Sequence, residues 1–154
     1  MKLKMFVLFF VALPVILLDQ VSKRWIAHSL SPVDSLVILE NFFHIRHLRN
    51  TAGAFGSFSW MSINVFIILT LGAIGVMGFL FYKLKTHQHA PAAGLALIVG
   101  GAIGNLIDRI MLGSVIDFID IHYYAYHWPA FNMADSAITI GTFILAACIA
   151  LGKW

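Results

Sequence analysis

Two aspartates stand beside long apolar runs, where an ionised side chain is costly unless it is paired or wetted: Asp117 in Val115-Ile116-Asp117-Phe118, and Asp135 in Phe131-Asn132-Met133-Ala134-Asp135-Ser136. Two carboxyl groups sharing a pocket of low dielectric cannot easily both ionise. One keeps a proton, the other stays a base, and the pair titrates as a unit. Such a pair can hold one water between them. The ionised member takes a proton from that water as it attacks a peptide carbonyl, while the protonated member donates to the carbonyl oxygen, and the proton then passes to the leaving nitrogen. Neither a metal nor an activated serine is required.

Other polar groups lie close to the same runs. Asn105, Asp108 and Arg109 fall at i, i+3 and i+4, one polar face at the end of a helix, and Asp108 with Arg109 reads as a structural or orienting ion pair. Asp19 and Lys23 are four apart, so on a helix they share a face and can pair, if only as a helix-end anchor. Spacing alone leaves three readings open. Asp117 and Asp135 form a catalytic pair, or Asp19, Asp108, Asp117 and Asp135 line a polar path for ions, or the acids are caps and ion pairs. For the last, Asn132 followed three residues on by Asp135 fits a helix N-terminal cap, with the acid near the positive end of the dipole.

The elements that must position these residues are membrane helices. Of 154 residues, 60% are hydrophobic and 11% charged, with a mean hydropathy of +0.89; ordinary globular chains carry about 25% charged residues. Four spans are expected, at about residues 5–25, 60–82, 90–112 and 133–151, joined by long connections at about 27–59 and 113–132. This makes residues 1–154 a single all-α membrane domain with a small β element. The start imitates a secretory signal but lacks its small-residue cleavage pattern, so it reads as an uncleaved first span, kinked at Pro14. Gly72, Gly75 and Gly78 on the second span, and Gly100 and Gly104 on the third, are small residues that permit close helix contact.

In the first connection, Leu36 to Leu39 and Phe42 to Arg49 have strand-like character, and Asn50, Thr51, Gly53 and Gly56 mark a turn where backbone can approach a ligand. In the second, Val115 to Tyr124 alternates, putting Asp117 on one side and Asp120 on the other. Tyr123, Tyr124, Tyr126 and Trp128 form an aromatic belt before Pro129 breaks the chain.

Four spans put both termini on one side. Lysine and arginine divide five against five between the two sides, but all seven acids fall with the long connections, so the termini are expected to be cytoplasmic and the connections outside. The net charge of +3 is that of lysines flanking spans, and no basic face with interleaved aromatics points to nucleic acid. The single cysteine, Cys148, excludes an internal disulfide, and its apolar setting argues against a nucleophile. There is no G-x-S-x-G, no P-loop and no dinucleotide fingerprint. His44 and His47 would suit a metal only on a helix, and without a nearby acid or cysteine no metal or other cofactor is expected.

At these residues the chain closely resembles the bacterial lipoprotein signal peptidases (signal peptidase II). The motifs run in order over nearly the whole chain: D-Q-x-S-K at Asp19–Lys23, the turn led by Asn50, G-N-x-x-D-R at Gly104–Arg109, V-I-D-F at Val115–Phe118 and F-N-x-A-D-S at Phe131–Ser136. The resemblance implies an intramembrane aspartic endopeptidase of the bacterial inner membrane, multi-pass, with its active site near the outer leaflet. It would remove the signal peptide from a prolipoprotein just before a cysteine carrying a diacylglyceryl group. By motif, Asp117 and Asp135 would be the catalytic dyad, while Asp19, Lys23, Asn50, Asn105, Asp108, Arg109 and Asn132 would hold the dyad and the substrate. It further implies a sheet cradle on the membrane surface, contact with membrane lipid and inhibition by globomycin-type cyclic peptides. The family turn usually reads N-T-G-A-A-F. Here it is Asn50-Thr51-Ala52-Gly53-Ala54-Phe55, so the resemblance assigns Gly53 no contact.

Overall fold

The computed structural model describes residues 2–51 and 62–154. Four of its helices are long and apolar enough to cross a membrane: α1 (Lys2–Ser29), α2 (Ile63–Lys83), α3 (His89–Leu112) and α4 (Met133–Ala150). Between them lie β1 (Ser35–Leu39), β2 (Phe43–Asn50), β3 (Val115–Tyr123) and β4 (Tyr126–His127). The expected fold class, four apolar helices with a small sheet, is the one observed. The first helix runs to Ser29, through Pro14 and beyond the expected end at 25. At 1.5 Å per residue its 28 residues span about 42 Å, more than a hydrocarbon core of about 30 Å, so its last turns rise clear of the apolar layer. The expected start of the second span at Trp60 and the glycines Gly53 and Gly56 lie outside the described residues.

Helix α3 is central, with most of its length buried against α1 and α4, while α2 packs chiefly on α3. Small residues allow the close approaches. A Cβ on Gly100 would stand 2.9 Å from the Ala12 carbonyl of α1, and one on Gly104 would stand 2.5 Å from Asp19 Oδ2. The glycines of α2 behave otherwise: added Cβ atoms at Gly72, Gly75 and Gly78 meet nothing within 4 Å among the described residues, so they do not make the helix contact expected of them. Small side chains permit contact but do not create it; α2 is the peripheral helix and turns this stripe outward.

The sheet is antiparallel, in the order β1-β2-β3-β4. It is joined to the helices by a buried cluster of Ile26, Ile116 and Phe118, with Leu30, Ile45 and Ile119 against it. Gly113, at φ +66°, takes the left-handed conformation that closes α3 and turns the chain directly into β3. Phe131, in the segment leading into α4, bridges to β3: its carbonyl accepts from the N–H groups of Phe118 and Ile119 at 3.1 and 2.9 Å. That bridge pins the residue before Asn132 beside the strand that carries Asp117.

Candidate active site

Asn132 caps α4. Its side-chain oxygen accepts from the Asp135 N–H at 2.9 Å, and Asp135 Oδ2 accepts from the Asn132 N–H at 3.3 Å, a reciprocal capping box. Asp135 is therefore a cap, but capping occupies only one of its oxygens. Its Oδ1 accepts from Asn105 Nδ2 on α3 at 2.8 Å. The Asn132 amide, fully buried, reaches the other way, donating to Asp117 Oδ1 at 2.7 Å. Asn50, at the end of β2, donates to Asp117 Oδ2 at 2.9 Å. Asn132 Nδ2 also lies within hydrogen-bond distance of the Ile116 carbonyl, at 3.3 Å, and of Asn105 Oδ1, at 3.2 Å, which closes the ring of amides.

The two carboxyl groups are thus held by asparagines and open on one cavity of about 560 Å³, lined also by Asn50, Asn105, Arg109 and Trp128. Apolar side chains, among them Val115 and Ile138, make up other parts of its wall. Burial is the main influence on Asp117. Together with the negative charge of Asp135 it outweighs the amide hydrogen bonds from Asn50 and Asn132 and the pull of Lys23, and pushes the carboxyl up to about 6. A carboxyl group so poised can act as acid or as base near neutral pH.

Behind the cavity lies a buried ionic cluster. Lys23 Nζ stands 2.8 Å from Asp19 Oδ2 and 3.1 Å from Asp108 Oδ2, and donates to Asn105 Oδ1 at 2.9 Å. Asp19 Oδ1 accepts from the Ala134 N–H at 2.9 Å, so an acid of α1 faces the positive end of the α4 dipole. Asp108 Oδ2 accepts from the Ile116 N–H at 3.1 Å, next to Asp117. The expected Asp19–Lys23 pair exists, but as the heart of the molecule rather than a helix-end anchor. The expected Asp108–Arg109 pair does not form. Neighbours on a helix do not face each other, and Asp108 turns inward to Lys23 while Arg109 borders the cavity, its guanidinium 5.5 Å from the Phe66 ring.

All nine candidate residues fall in this one region: Asn50, Asn105, Arg109, Asp117 and Asp135 line the cavity, fully buried Asn132 bridges the two acids, and Asp19, Lys23 and Asp108 lie behind. Gln20 was not among them. Its amide donates to Asp108 Oδ1 at 2.9 Å and to the Gly104 carbonyl at 3.2 Å. The signal was its place beside Asp19 at the polar end of an apolar helix. Asp120, set apart from Asp117 by strand alternation, pairs instead with Arg46 at 3.2 Å and His127 at 2.9 Å.

Four apolar helices, a small sheet and a cavity onto which two buried aspartates open define a multi-pass membrane protein with a paired-acid pocket. The family model described as signal peptidase (SPase) II matches residues 11–151, and the chain belongs to that family. It is 45% identical to the lipoprotein signal peptidase of Geobacter sulfurreducens, over 88% of this chain and 86% of that one. It is 40% identical to that of Syntrophotalea carbinolica, over 100% and 95%. Among solved structures, a bacterial membrane enzyme determined at 2.3 Å by the in meso method superposes with a TM-score of 0.83 at 34% identity, covering 95% of this chain and 87% of the other.

Proposed function

We propose that the chain is an aspartic endopeptidase that removes the signal peptide from diacylglyceryl-modified prolipoproteins, cutting before the lipidated cysteine. Membership of the signal peptidase II family carries the reading as far as a lipoprotein signal peptidase. One observation supports the aspartic mechanism: a single residue, Asn132, hydrogen-bonds both acids, its amide to Asp117 and its oxygen and N–H with Asp135, where they border a common cavity.

In this mechanism Asp117 and Asp135 share one proton and hold the attacking water between them. The ionised member receives the water's proton as the oxygen attacks the scissile carbonyl. The protonated member donates to the carbonyl oxygen, and collapse of the tetrahedral intermediate delivers a proton to the leaving nitrogen. Asn50, Asn105 and Asn132 donate to the carboxyl groups and fix their orientation. Arg109, at the cavity wall, is the cationic group suited to a substrate backbone carbonyl. Asp19, Lys23 and Asp108 set the α1, α3 and α4 positions from behind.

The lipid-bearing substrate accounts for a cavity at the mouth of membrane helices. A diacylglyceryl group drawn into water would lose its hydrophobic stabilisation, at about 0.8 kcal/mol per CH₂, so the scissile bond must be met at membrane level. We place the protein in the bacterial inner membrane, with cytoplasmic termini, the sheet outside and the site near the outer leaflet. A globomycin-type cyclic peptide would compete for the same cavity. Purified protein incubated with a diacylglyceryl-modified precursor should release a fragment beginning at the lipidated cysteine, identified by mass spectrometry, and globomycin should block it. No cleavage, or equal cleavage of the unlipidated precursor, would refute the assignment.

A further inference from the structure

On the sheet face turned away from Asp117, three strands bring metal-ligating side chains together. His44 on β2 is the direct cross-strand partner of Asp120 on β3. His122 lies two residues beyond Asp120 on the same face, and His127 on β4 is its cross-strand partner. One ligand atom from each of His44, Asp120 and His122 falls within 4.8 Å of the other two. The ring of His122 is clasped between the other imidazoles, edge to face with His44 at 4.3 Å and stacked on His127 at 4.5 Å.

A second observation points into the same space. His122 is 5% exposed, and its Nδ1 has no hydrogen-bond partner among the described residues. That atom faces Asp120 Oδ1 across 4.0 Å, too far for a hydrogen bond. Buried polar atoms are rarely left so. Asp120 is itself buried. Its carboxyl accepts hydrogen bonds from His127 Nδ1 at 2.9 Å and from Arg46 Nη1 at 3.2 Å. Each carboxylate oxygen has a lone pair beyond the one those donors use.

We propose that His44, Asp120 and His122 form a binding site for one divalent d-block cation, with zinc the best match to two imidazoles and a carboxylate. A tetrahedral zinc about 2.1 Å from each ligand places its ligand atoms about 3.4 Å apart. The half-buried His44 can close that difference by side-chain rotation. The His127 Nδ1–H, at 2.9 Å from Asp120 Oδ1, orients the carboxylate. The ion would tie β2 to β3, the strands that carry Asn50 and Asp117, so occupancy would stiffen the sheet beside the aspartate cavity without entering it.

The test uses full-length, tag-free protein in detergent, stripped with chelator and titrated with cobalt chloride and then zinc chloride. Saturable uptake of one Co²⁺ per chain is expected, with the visible absorption of a low-coordinate N/O site, displaced by Zn²⁺, and a melting temperature raised by Zn²⁺. His44→Gln, which alters a half-buried side chain, should weaken binding at least tenfold (about the lower bound for loss of a metal-supporting group) and leave the metal-free melting temperature unchanged. His122→Gln should do the same to binding. His28→Gln and His89→Gln, outside the cluster, should bind as the wild type does. No saturable one-to-one uptake, or uptake that survives both His44→Gln and His122→Gln, would overturn the proposal.

Discussion

Asp19 Oδ1 accepts a hydrogen bond from the Ala134 backbone N–H at 2.9 Å, joining the first helix to the first turn of the last. The other oxygen of Asp19 is held by Lys23, which also holds Asp108. One cation, 1% exposed, thus answers two buried carboxylates and positions three helices around the aspartate cavity.

Removal of Lys23 should therefore be more damaging than loss of a surface ion pair. Lys23→Met leaves Asp19 and Asp108 buried without their cation, and breaking a buried pair costs about 3–5 kcal/mol. A large fall in the melting temperature of detergent-purified protein is expected, against little change for Arg24→Met at an exposed position of the same helix. Equal melting temperatures would show that the cluster bears no weight in the fold.

Glycine substitutions should separate packed from unpacked positions. Gly104→Ala drives a Cβ to 2.5 Å from Asp19 Oδ2, so Asp19 must leave Lys23 or Ala134, and both stability and cleavage should fall. Gly72→Ala meets nothing within 4 Å among the described residues and should stabilise α2 by about 0.5–1 kcal/mol through helix propensity. Thermal melts of the two variants check both signs.

How far the residues announced this arrangement depended on range. Residue character marked the segments that became β1 and β2, alternation placed β3 and separated Asp117 from Asp120, and helix periodicity paired Asp19 with Lys23, because these relations lie within one element. Relations between elements were harder to read. Asp108 and Arg109 are adjacent in sequence, yet the partner of Asp108 is 85 residues back on another helix. The glycines of α2 and of α3 look alike as sequence, and only packing distinguishes Gly104 from Gly72. His44 looked isolated because its neighbours Asp120 and His122 arrive on a strand far along the chain. The capping pattern at Asn132 and Asp135 was readable, but it concealed that each residue has a second partner across the cavity.

That double use of Asn132 can be divided by mutation. Asn132→Ser keeps a good helix cap but cannot reach Asp117, whereas Asn132→Ala loses both functions. Both variants leave the buried acceptors of the Asn132 amide unpaired and should lose stability, alanine by about 1 kcal/mol more because it also loses the cap. Cleavage should fall in both, by about 100-fold if the carboxyl groups lose their alignment. Serine activity near wild type would mean that the Asn132–Asp117 contact is incidental.

The raised Asp117 carboxyl gives a stability signature. Burial lifts it from the ordinary 3.8 to about 6, so the folded chain holds this proton more tightly than the unfolded chain. Its contribution is fully present below about pH 4 and is lost as the pH rises through about 6, on the order of 3 kcal/mol in all. The melting temperature of the wild type relative to Asp117→Asn should accordingly decline between pH 4 and pH 7 and level off above. A relative stability that rises with pH over that window would contradict the burial argument.

The most direct measurement is single-turnover cleavage of a diacylglyceryl-modified precursor by purified Asp117→Asn and Asp135→Asn, each checked for membrane insertion, accumulation and monodispersity. Both variants should insert and accumulate as the wild type does, and both should lose cleavage by more than about 100-fold, the lower range for removal of a general acid or base. Near-normal cleavage by either one would contradict the shared-proton mechanism at its root.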